Sequence, residues 1–520
     1  VRLLHTAEGL RCCLAQGGTG SVGLVPTMGA LHAGHLSLID RARRETDRVV
    51  VSIFVNPLQF GPGEDLDRYP QTLEQDCDRC NAAGADIVFA PTPRSLYGTP
   101  HPAAADLTQV TPPAAMIAGL CGQSRPGHFQ GVATVVTKLL NLVQPSRAYF
   151  GRKDAQQLAI LKRLVQDLNL PVQIVDCPIV READGLALSS RNRYLGPAER
   201  AQATILYQSL SAAETAFQAG VRLSSELVAI VKSGLATTPA AQPEYVALVH
   251  PDSLEPLEEI RTMGLLAIAA RVGTTRLIDN ICLRSRAPII AIDGPAGAGK
   301  STVARLVAHQ LGLLYLDTGA MYRALTWYVL EQGTDPQDPV AVAELLPHCQ
   351  IRLTAQVVQD DQPQPSEVWV NDRPVTQAIR SAEVTAQVST VAAQAAVRQR
   401  LVQQQQQYGQ QGGVVADGRD IGTQVFPQAE LKIFLTASVA ERAQRRQRDL
   451  QALEQPVPEL EVLAETIRER DRKDSTRAIS PLRQAKDAIE VSTDALTIEQ
   501  VVDQITALYR QTVANRGGPS

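Results

Sequence analysis

The 520-residue chain has no excess of positive charge: Lys plus Arg total 50 against 54 for Asp plus Glu, a net charge of −4. No global field exists to gather phosphate backbones, so no nucleic-acid partner is expected. Long apolar runs are missing as well. The best, Val49 to Val55, is interrupted by Ser52 and falls far short of the roughly 18 residues that cross a bilayer, so no membrane partner is expected either. Val1 to Leu14 has no long apolar core followed by a small-residue cleavage site, which argues against a secretory leader and makes the cytoplasm the expected location. Cysteine is sparse, eight residues with no repeating framework, seven before residue 290 and Cys349 after it. Cys77 and Cys80 form the one CxxC, without a second pair or a nearby His to complete four zinc ligands, and read as two reduced helical thiols.

What is present suffices for real cores. Hydrophobic residues make up 44 % and charged residues 20 %, too apolar for a disordered chain. At roughly 100 to 200 residues per domain, the length predicts about three or four domains.

Two apolar strands, about 270 residues apart, each run into a glycine-bearing turn and then a helix. The first leads from Val22 through Gly29 and Gly34 to His35 and a helical pattern over Leu36 to Arg44. The second leads from Pro288 through Gly294, Gly297 and Gly299 to Ser301 and a helix over Thr302 to Gln310. Such a junction is an anion site, because unpaired backbone N–H groups and the helix dipole point at the loop. The loops differ in chemistry, so they are not an internal repeat. The join between the halves is expected at about Leu283 to Ala287.

In the first half, strand patterns at Leu24 and Val25, Val49 to Val55 and Ile87 to Ala90 alternate with helices, predicting a parallel α/β sheet. After about Pro197, helices and then strands at Tyr245 to Val249, Leu265 to Val272 and Thr275 to Leu283 predict a separate α+β lobe. In the second half, Leu313 to Leu316, Val414 to Asp417, Leu431 to Leu435 and Ala488 to Val491 read as buried strands between helices. Ile351 to Val375 reads as an inserted β-meander with turns at Gln362 to Pro365 and at Asn371 and Asp372. Gln403 to Gln407 reads as the polar end of a helix.

His32-Ala-Gly-His35 puts two imidazoles three residues apart at a helix start, where both can donate to one phosphate. The spacing and the missing Glu exclude the His-Glu-x-x-His metalloprotease pattern. Taken alone, the pair serves equally well as ordinary helix capping. Its surroundings decide. Pro26 to His35, Ser52 to Phe60, Arg125 to Phe129, Phe150 to Gln157 and Leu188 to Asn192 together resemble the pantothenate synthetase family, over about residues 1 to 283. That resemblance implies an HxGH nucleotidyltransferase that joins pantoate to β-alanine with ATP, releasing AMP and pyrophosphate, with Mg²⁺ required.

A carboxylate is a poor acyl donor, so it must first attack the α-phosphorus of ATP. The charge gathering there can be offset by His32, His35, Lys153, Ser189, Ser190 and Arg191. The resemblance makes His35 the catalytic imidazole. It implies an ATP site of Met28, Gly29, Ala30, Leu31, His32, Ala33, Gly34 and His35, joined by Gly151, Arg152, Lys153, Asp154, Val180, Leu188, Ser189, Ser190 and Arg191. Gln59 and Gln157 would hold pantoate, because an amide both donates and accepts at a polyol. Asp76 is either an Mg²⁺ contact or a solvated helix carboxylate. His128 is structural or loop-closing. Arg152 stands where the family often has an acidic residue.

Gly294 to Ser301 fits G-x-x-x-x-G-K-[ST] with a strand before and a helix after. The loop Gly294, Pro295, Ala296, Gly297, Ala298 and Gly299 would wrap the β-phosphate. Lys300 would reach the β and γ oxygens, Ser301 would ligate Mg²⁺, and Thr302 completes the ATP set. The substrate comes from the remainder: Leu316 to Arg323, Ala416 to Gly422 and Glu469 to Ala478 resemble the bacterial cytidylate kinase family, over 288 to 510. The resemblance implies phosphorylation of CMP or dCMP by ATP. It assigns Arg323, Arg419 and Arg470 to the acceptor phosphate, where guanidinium forks suit the charge. It assigns Asp420, Arg398 and Ser389 to cytosine, Asp474 and Arg477 to the ribose, and Thr318 to the CMP site. The Arg-rich stretch Glu441 to Arg448 can be a nucleic-acid patch or a solvated helix, and the resemblance favours a lid that excludes water.

The expected architecture is α/β throughout: a Rossmann-like HxGH nucleotidyltransferase domain (1–187), a small α+β lobe (188–284), and a P-loop nucleoside-monophosphate-kinase domain (288–515) with a β insertion at about 351–390 and a lid at about 440–480. The expected partners are ATP, pantoate, β-alanine and CMP or dCMP, with a homodimer through the first half. One rival is an aminoacyl-adenylate former with an adenylate or uridylate kinase, disfavoured by the lack of anticodon-binding bulk. The other is a protein with one half silent, acting as a nucleotide sensor or structural module.

Overall fold

The computed structural model describes residues 1–16, 18, 20–285, 287–354, 358–359, 362–363, 367–452, 457–476 and 481–514. The chain divides into two compact units, Val1–Ser285 and Arg286–Ser520.

The first unit holds strands β1 (Arg2–Leu4), β2 (Val22–Thr27), β3 (Arg48–Ile53), β4 (Ile87–Phe89), β5 (Arg147–Gly151) and β6 (Gln173–Cys177) in one sheet, ordered β1-β4-β3-β2-β5-β6 and parallel throughout. The run Val49-Val50-Val51 is fully buried, as a strand covered on both faces requires. The strand order reverses between β2 and β5. Ligands of open parallel sheets bind at such a switch point, beyond the carboxyl ends of the strands. There the sequence puts the loop Met28–His32 after β2 and the turn Arg152–Asp154 after β5. The helix His128–Val143 covers this end, and its Gly131 is forced by packing: a Cβ there would lie 2.2 Å from the Leu58 carbonyl oxygen.

Strands β7 (Ala241–Val249), β8 (Met263–Val272) and β9 (Thr275–Arg284) form an antiparallel sheet. The helices Ile205–Gln218 and Ser224–Ala236 cover it around Leu206, Leu210, Leu227 and Ile268.

The second unit begins with β10 (Ile290–Asp293) and β11 (Leu314–Asp317). Short strands follow: β12 (Ile351–Leu353), β13 (Val358–Gln359), β14 (Gln362–Pro363), β15 (Val368–Val370) and β16 (Arg373–Pro374). Then come β17 (Val414–Gly418), β18 (Leu431–Thr436) and β19 (Ile489–Ser492). The main sheet is parallel, ordered β11-β17-β10-β18-β19, with β10 at its centre. Strands β12, β15 and β16 form a separate antiparallel sheet within the stretch read as a β-meander, and Asn371 and Asp372, both at positive φ, close the β15–β16 hairpin. Of the turn expected at Gln362 to Pro365, Gln362–Pro363 is strand, paired with β13, and residues 364–365 lie outside the described residues.

Gln403 to Gln407 does end a helix, Ala395–Tyr408, yet Gln405 is buried. The helices Val439–Ala452 and Leu460–Thr476 pack together through Ala443, Leu450, Leu463 and Ala464. Cys77 and Cys80 are free thiols on the helix Leu73–Ala82, and no cluster of metal-ligating side chains exists among the described residues. No described helix is long and apolar enough to cross a membrane.

Candidate active sites

In the first unit a cleft of about 490 Å³ opens at the switch point. Met28, His32, Gly34, His35, Gln59, Gly151, Lys153, Asp154, Gln157, Val180, Leu188, Ser189, Ser190 and Arg191 line it. Gly29, Ala30 and Leu31 build the loop behind, and Ala33 opens the helix that follows it.

His32 caps the helix Ala33–Glu45, its Nδ1 accepting the Gly34 N–H at 3.1 Å, and His35 Nδ1 accepts the His32 N–H at 3.4 Å. Both Nδ1 atoms are therefore acceptors, which leaves the proton of each neutral ring on Nε2. Burial, with Lys153, Arg193 and Arg79 nearby, pushes His32 down to about 4. Burial, His32 and Lys153 push His35 down to about 3. The rings lie 4.1 Å apart and are neutral at neutral pH.

Asp76 is neither of the things its sequence position suggests. It is fully buried, and its carboxylate accepts the N–H of Ala30 through Oδ2 and that of Leu31 through Oδ1, both at 2.8 Å, with the Thr72 hydroxyl at 3.1 Å. A carboxylate committed to three donors is a loop anchor and does not suit an Mg²⁺ contact. It holds Ala30, a non-glycine at φ 49°, in the left-handed region. Arg152 likewise turns from the cleft, to Asp176 at 3.1 Å. The side-chain amide of Asn280, on β9, donates to the carbonyls of both Arg152 and Lys153 at 3.0 Å, so the second lobe holds the turn that carries Lys153.

Arg191 forms a fork with Asp65, both contacts 2.9 Å, and Ser190 Oγ donates to the Ala30 carbonyl at 3.2 Å. Ser189 caps the turn Ser190–Tyr194 by accepting the Arg191 N–H. Gln59 Oε1 accepts from Asn56 Nδ2 at 3.0 Å, which leaves the second lone pair of that oxygen and the amide NH₂ for a ligand. His128 closes this loop: its ring lies 2.8 Å from the Gln59 carbonyl through Nδ1 and 3.0 Å from Arg125 through Nε2, and Arg125 pairs with Glu64. Burial and Arg125 push His128 down to about 4.

In the second unit the loop after β10 takes positive φ at Gly294, Gly297 and Gly299, and a Cβ on Gly294 would meet the Leu435 carbonyl oxygen at 2.1 Å. Lys300 opens the helix Lys300–Leu311 and donates to the Pro295 carbonyl at 2.7 Å. Burial and then Arg419 push it down to about 7. Ser301 donates to Asp417 Oδ2 at 2.7 Å, and Tyr315 donates to Oδ1 of the same carboxylate at 3.0 Å. Asp417 was not singled out from the sequence, although an apolar strand ending in Asp after a P-loop is its signal. A hydroxyl beside a carboxylate is a hard-oxygen donor set that fits Mg²⁺.

Thr318 donates to the Asp417 carbonyl at 2.7 Å, and Arg323 donates to Thr385 at 2.9 Å. Asp420 and Arg398 form a buried ion pair. Arg419 pairs with Asp474 at 2.8 Å, so the expected phosphate and ribose ligands engage each other here. Burial and Arg419 push Arg470 below the usual guanidinium range. Ser389 is exposed on the helix Ala382–Ala392, with no side-chain hydrogen bond to Asp420 or Arg398. Arg477 lies outside the described residues. In the Arg-rich stretch, Arg442 forks with Asp471 and donates to the Ala296 carbonyl at 3.1 Å. That ties the helix pair to the phosphate loop and leaves Arg442 buried, which a nucleic-acid patch would not.

A neutral imidazole pair at a sheet switch point and a P-loop beside a strand-end carboxylate define two nucleotide-handling α/β units. The family model "Pantoate-beta-alanine ligase" matches residues 2–282 and "Cytidylate kinase" matches 290–511. A bifunctional pantoate ligase/cytidylate kinase of Trichormus variabilis is 62 % identical over 94 % of this chain and 92 % of its own length. The protein of that name from Synechococcus elongatus is 62 % identical over 98 % and 96 %. Pantothenate synthetase from Thermus thermophilus superimposes with a TM-score of 0.51 at 46 % identity, covering 54 % of this chain and 99 % of its own. The chain belongs to the family of bifunctional pantoate ligase/cytidylate kinases.

Proposed function

We propose that the chain catalyses two separate ATP-dependent reactions, condensation of pantoate with β-alanine in the first unit and phosphorylation of CMP or dCMP in the second. The observation that carries this reading is that each unit has its own phosphate device, His32 and His35 with Lys153 in one, Lys300 with Ser301 and Asp417 in the other.

In the first reaction the pantoate carboxylate, held by Gln59 and Gln157, attacks the α-phosphorus of ATP and pyrophosphate leaves. The β-alanine amine then attacks the acyl carbon and AMP leaves. Two neutral Nε2–H groups donate to phosphate oxygens without a charge to be dispersed, while Lys153 supplies the cation. In the second reaction Arg323, Arg419 and Arg470 hold the acceptor phosphate in line, and Asp420 with Arg398 reads the amino group of cytosine. Mg²⁺ held by Ser301 and Asp417 would supply charge neutralisation at the β and γ oxygens. Arg419 exchanges Asp474 for phosphate as CMP enters. Pairing of the synthetase unit with a second copy is carried over from the family resemblance alone.

The test is product formation by the full chain with ATP and Mg²⁺. Pantothenate is expected from pantoate and β-alanine, and CDP from CMP; failure to form either refutes the reading.

A further inference from the structure

Asp293, the last residue of β10, lies immediately before the phosphate loop and has no place in either reaction as described. Its side chain is buried, and its two oxygens accept two successive backbone amides from elsewhere in the unit: Oδ1 takes the Ile421 N–H and Oδ2 the Gly422 N–H, both at 2.7 Å. These amides begin the π-helical turn Ile421–Val425, an element rare in proteins and concentrated at functional sites. The residue before them is Asp420, paired with Arg398, whose guanidinium lies 5.6 Å from the Tyr322 ring centre. The linkage is continuous: Gly294 of the phosphate loop, Asp293, the two amides, Asp420, Arg398.

We infer that Asp293 is a positioning residue that sets the aim of the cytosine-reading Asp420 from the strand that carries the phosphate loop, and so contributes to base specificity. The inference rests on the reading of Asp420 and Arg398 as the base-recognition pair. A carboxylate suits the task because both its oxygens accept. An amide of the same shape offers one acceptor and one NH₂, which would face a backbone N–H and push that end of the turn away. Asp420 directly precedes the displaced amides in the chain, so its carboxylate moves with them. The triphosphate side is held separately, by Lys300 on Pro295 and by Ser301 on Asp417.

The experiment compares Asp293→Asn, Gly422→Ala and Asp420→Asn in the full chain, measuring KM and kcat for CMP, UMP and ATP, with the thermal melting of the second unit as the control of its folding. Gly422→Ala approaches the same contact from the other side, since its Cβ would lie 3.2 Å from Asp293 Oδ2, and it serves if Asp293→Asn does not fold. The expected result is a CMP KM raised about tenfold in Asp293→Asn, the order of one lost hydrogen bond. The preference for CMP over UMP falls, the ATP KM changes less than about twofold, and Gly422→Ala shifts in the same direction. A merely structural role would lower both nucleotide rates together and leave their ratio alone. If Asp420→Asn changes the CMP:UMP ratio while Asp293→Asn and Gly422→Ala do not, the inference is overturned. If Asp420→Asn itself leaves the ratio unchanged, the base-reading assignment fails, and the inference with it.

Discussion

The Oδ1 atom of Asp76 accepts the backbone N–H of Leu31 at 2.8 Å, across 45 residues of chain. With the parallel contact to Ala30 it sets the height of the loop that delivers His32 and His35 to the cleft. Asp76→Ala orphans two amides and releases Ala30 from its left-handed backbone. The ATP KM for pantothenate formation is expected to rise about tenfold or more, since each unmet buried donor costs roughly 1–3 kcal/mol. The Mg²⁺ concentration for half-maximal rate at saturating ATP should not move. A shifted Mg²⁺ requirement would identify a metal ligand instead.

Asn280 reaches the active site only through the backbone, so its replacement tests whether the turn bearing Lys153 must be held. Asn280→Asp places a carboxylate against two carbonyl oxygens. The kcat for pantothenate should fall by about 10²-fold, the scale of roughly 3 kcal/mol, with CDP formation unchanged. A melting transition of the first unit that is lost or falls below the assay temperature in the variant would show unfolding instead.

His32, His35 and His128 are all depressed, to about 4, 3 and 4. Below about 6.5, their unfolded-state value, the unfolded chain binds protons that the folded unit refuses, so the stability these groups contribute is lost as pH falls from about 6.5 toward 4. The loss of pantothenate-forming activity on heating should therefore shift to lower temperature between pH 7 and pH 5. In His128→Asn, whose amide can still donate to Gln59, the shift should be smaller. An unchanged shift in the variant would show that His128 is not among the groups responsible.

Both phosphate loops are contiguous in the chain, so His32 to His35 and Gly294 to Ser301 were legible from residue order alone. Strand positions with dense β-branched character, such as Val49 to Val51, were legible for a similar reason. Strands β1, β5 and β6 carried weaker patterns and were not foreseen. Asp76 was noticed but its role as a loop anchor was not, and Asn280 and Asp293 stayed hidden, because their partners are backbone amides and carbonyls, which have no residue type to recognise and lie 45 to 129 positions away. Arg191 and Arg419 were recognisable as cations, but their pairing with Asp65 and Asp474 exists only in the fold.

The central claim is that two complete and independent sites share one chain. It is tested most directly by measuring pantoate-dependent ATP/pyrophosphate exchange and CMP-dependent ADP formation side by side in wild type, His35→Ala and Lys300→Ala. The expected outcome is loss of exchange with CMP phosphorylation intact in His35→Ala, and the reverse in Lys300→Ala. Loss of both activities in either variant, with the fold retained, would contradict it.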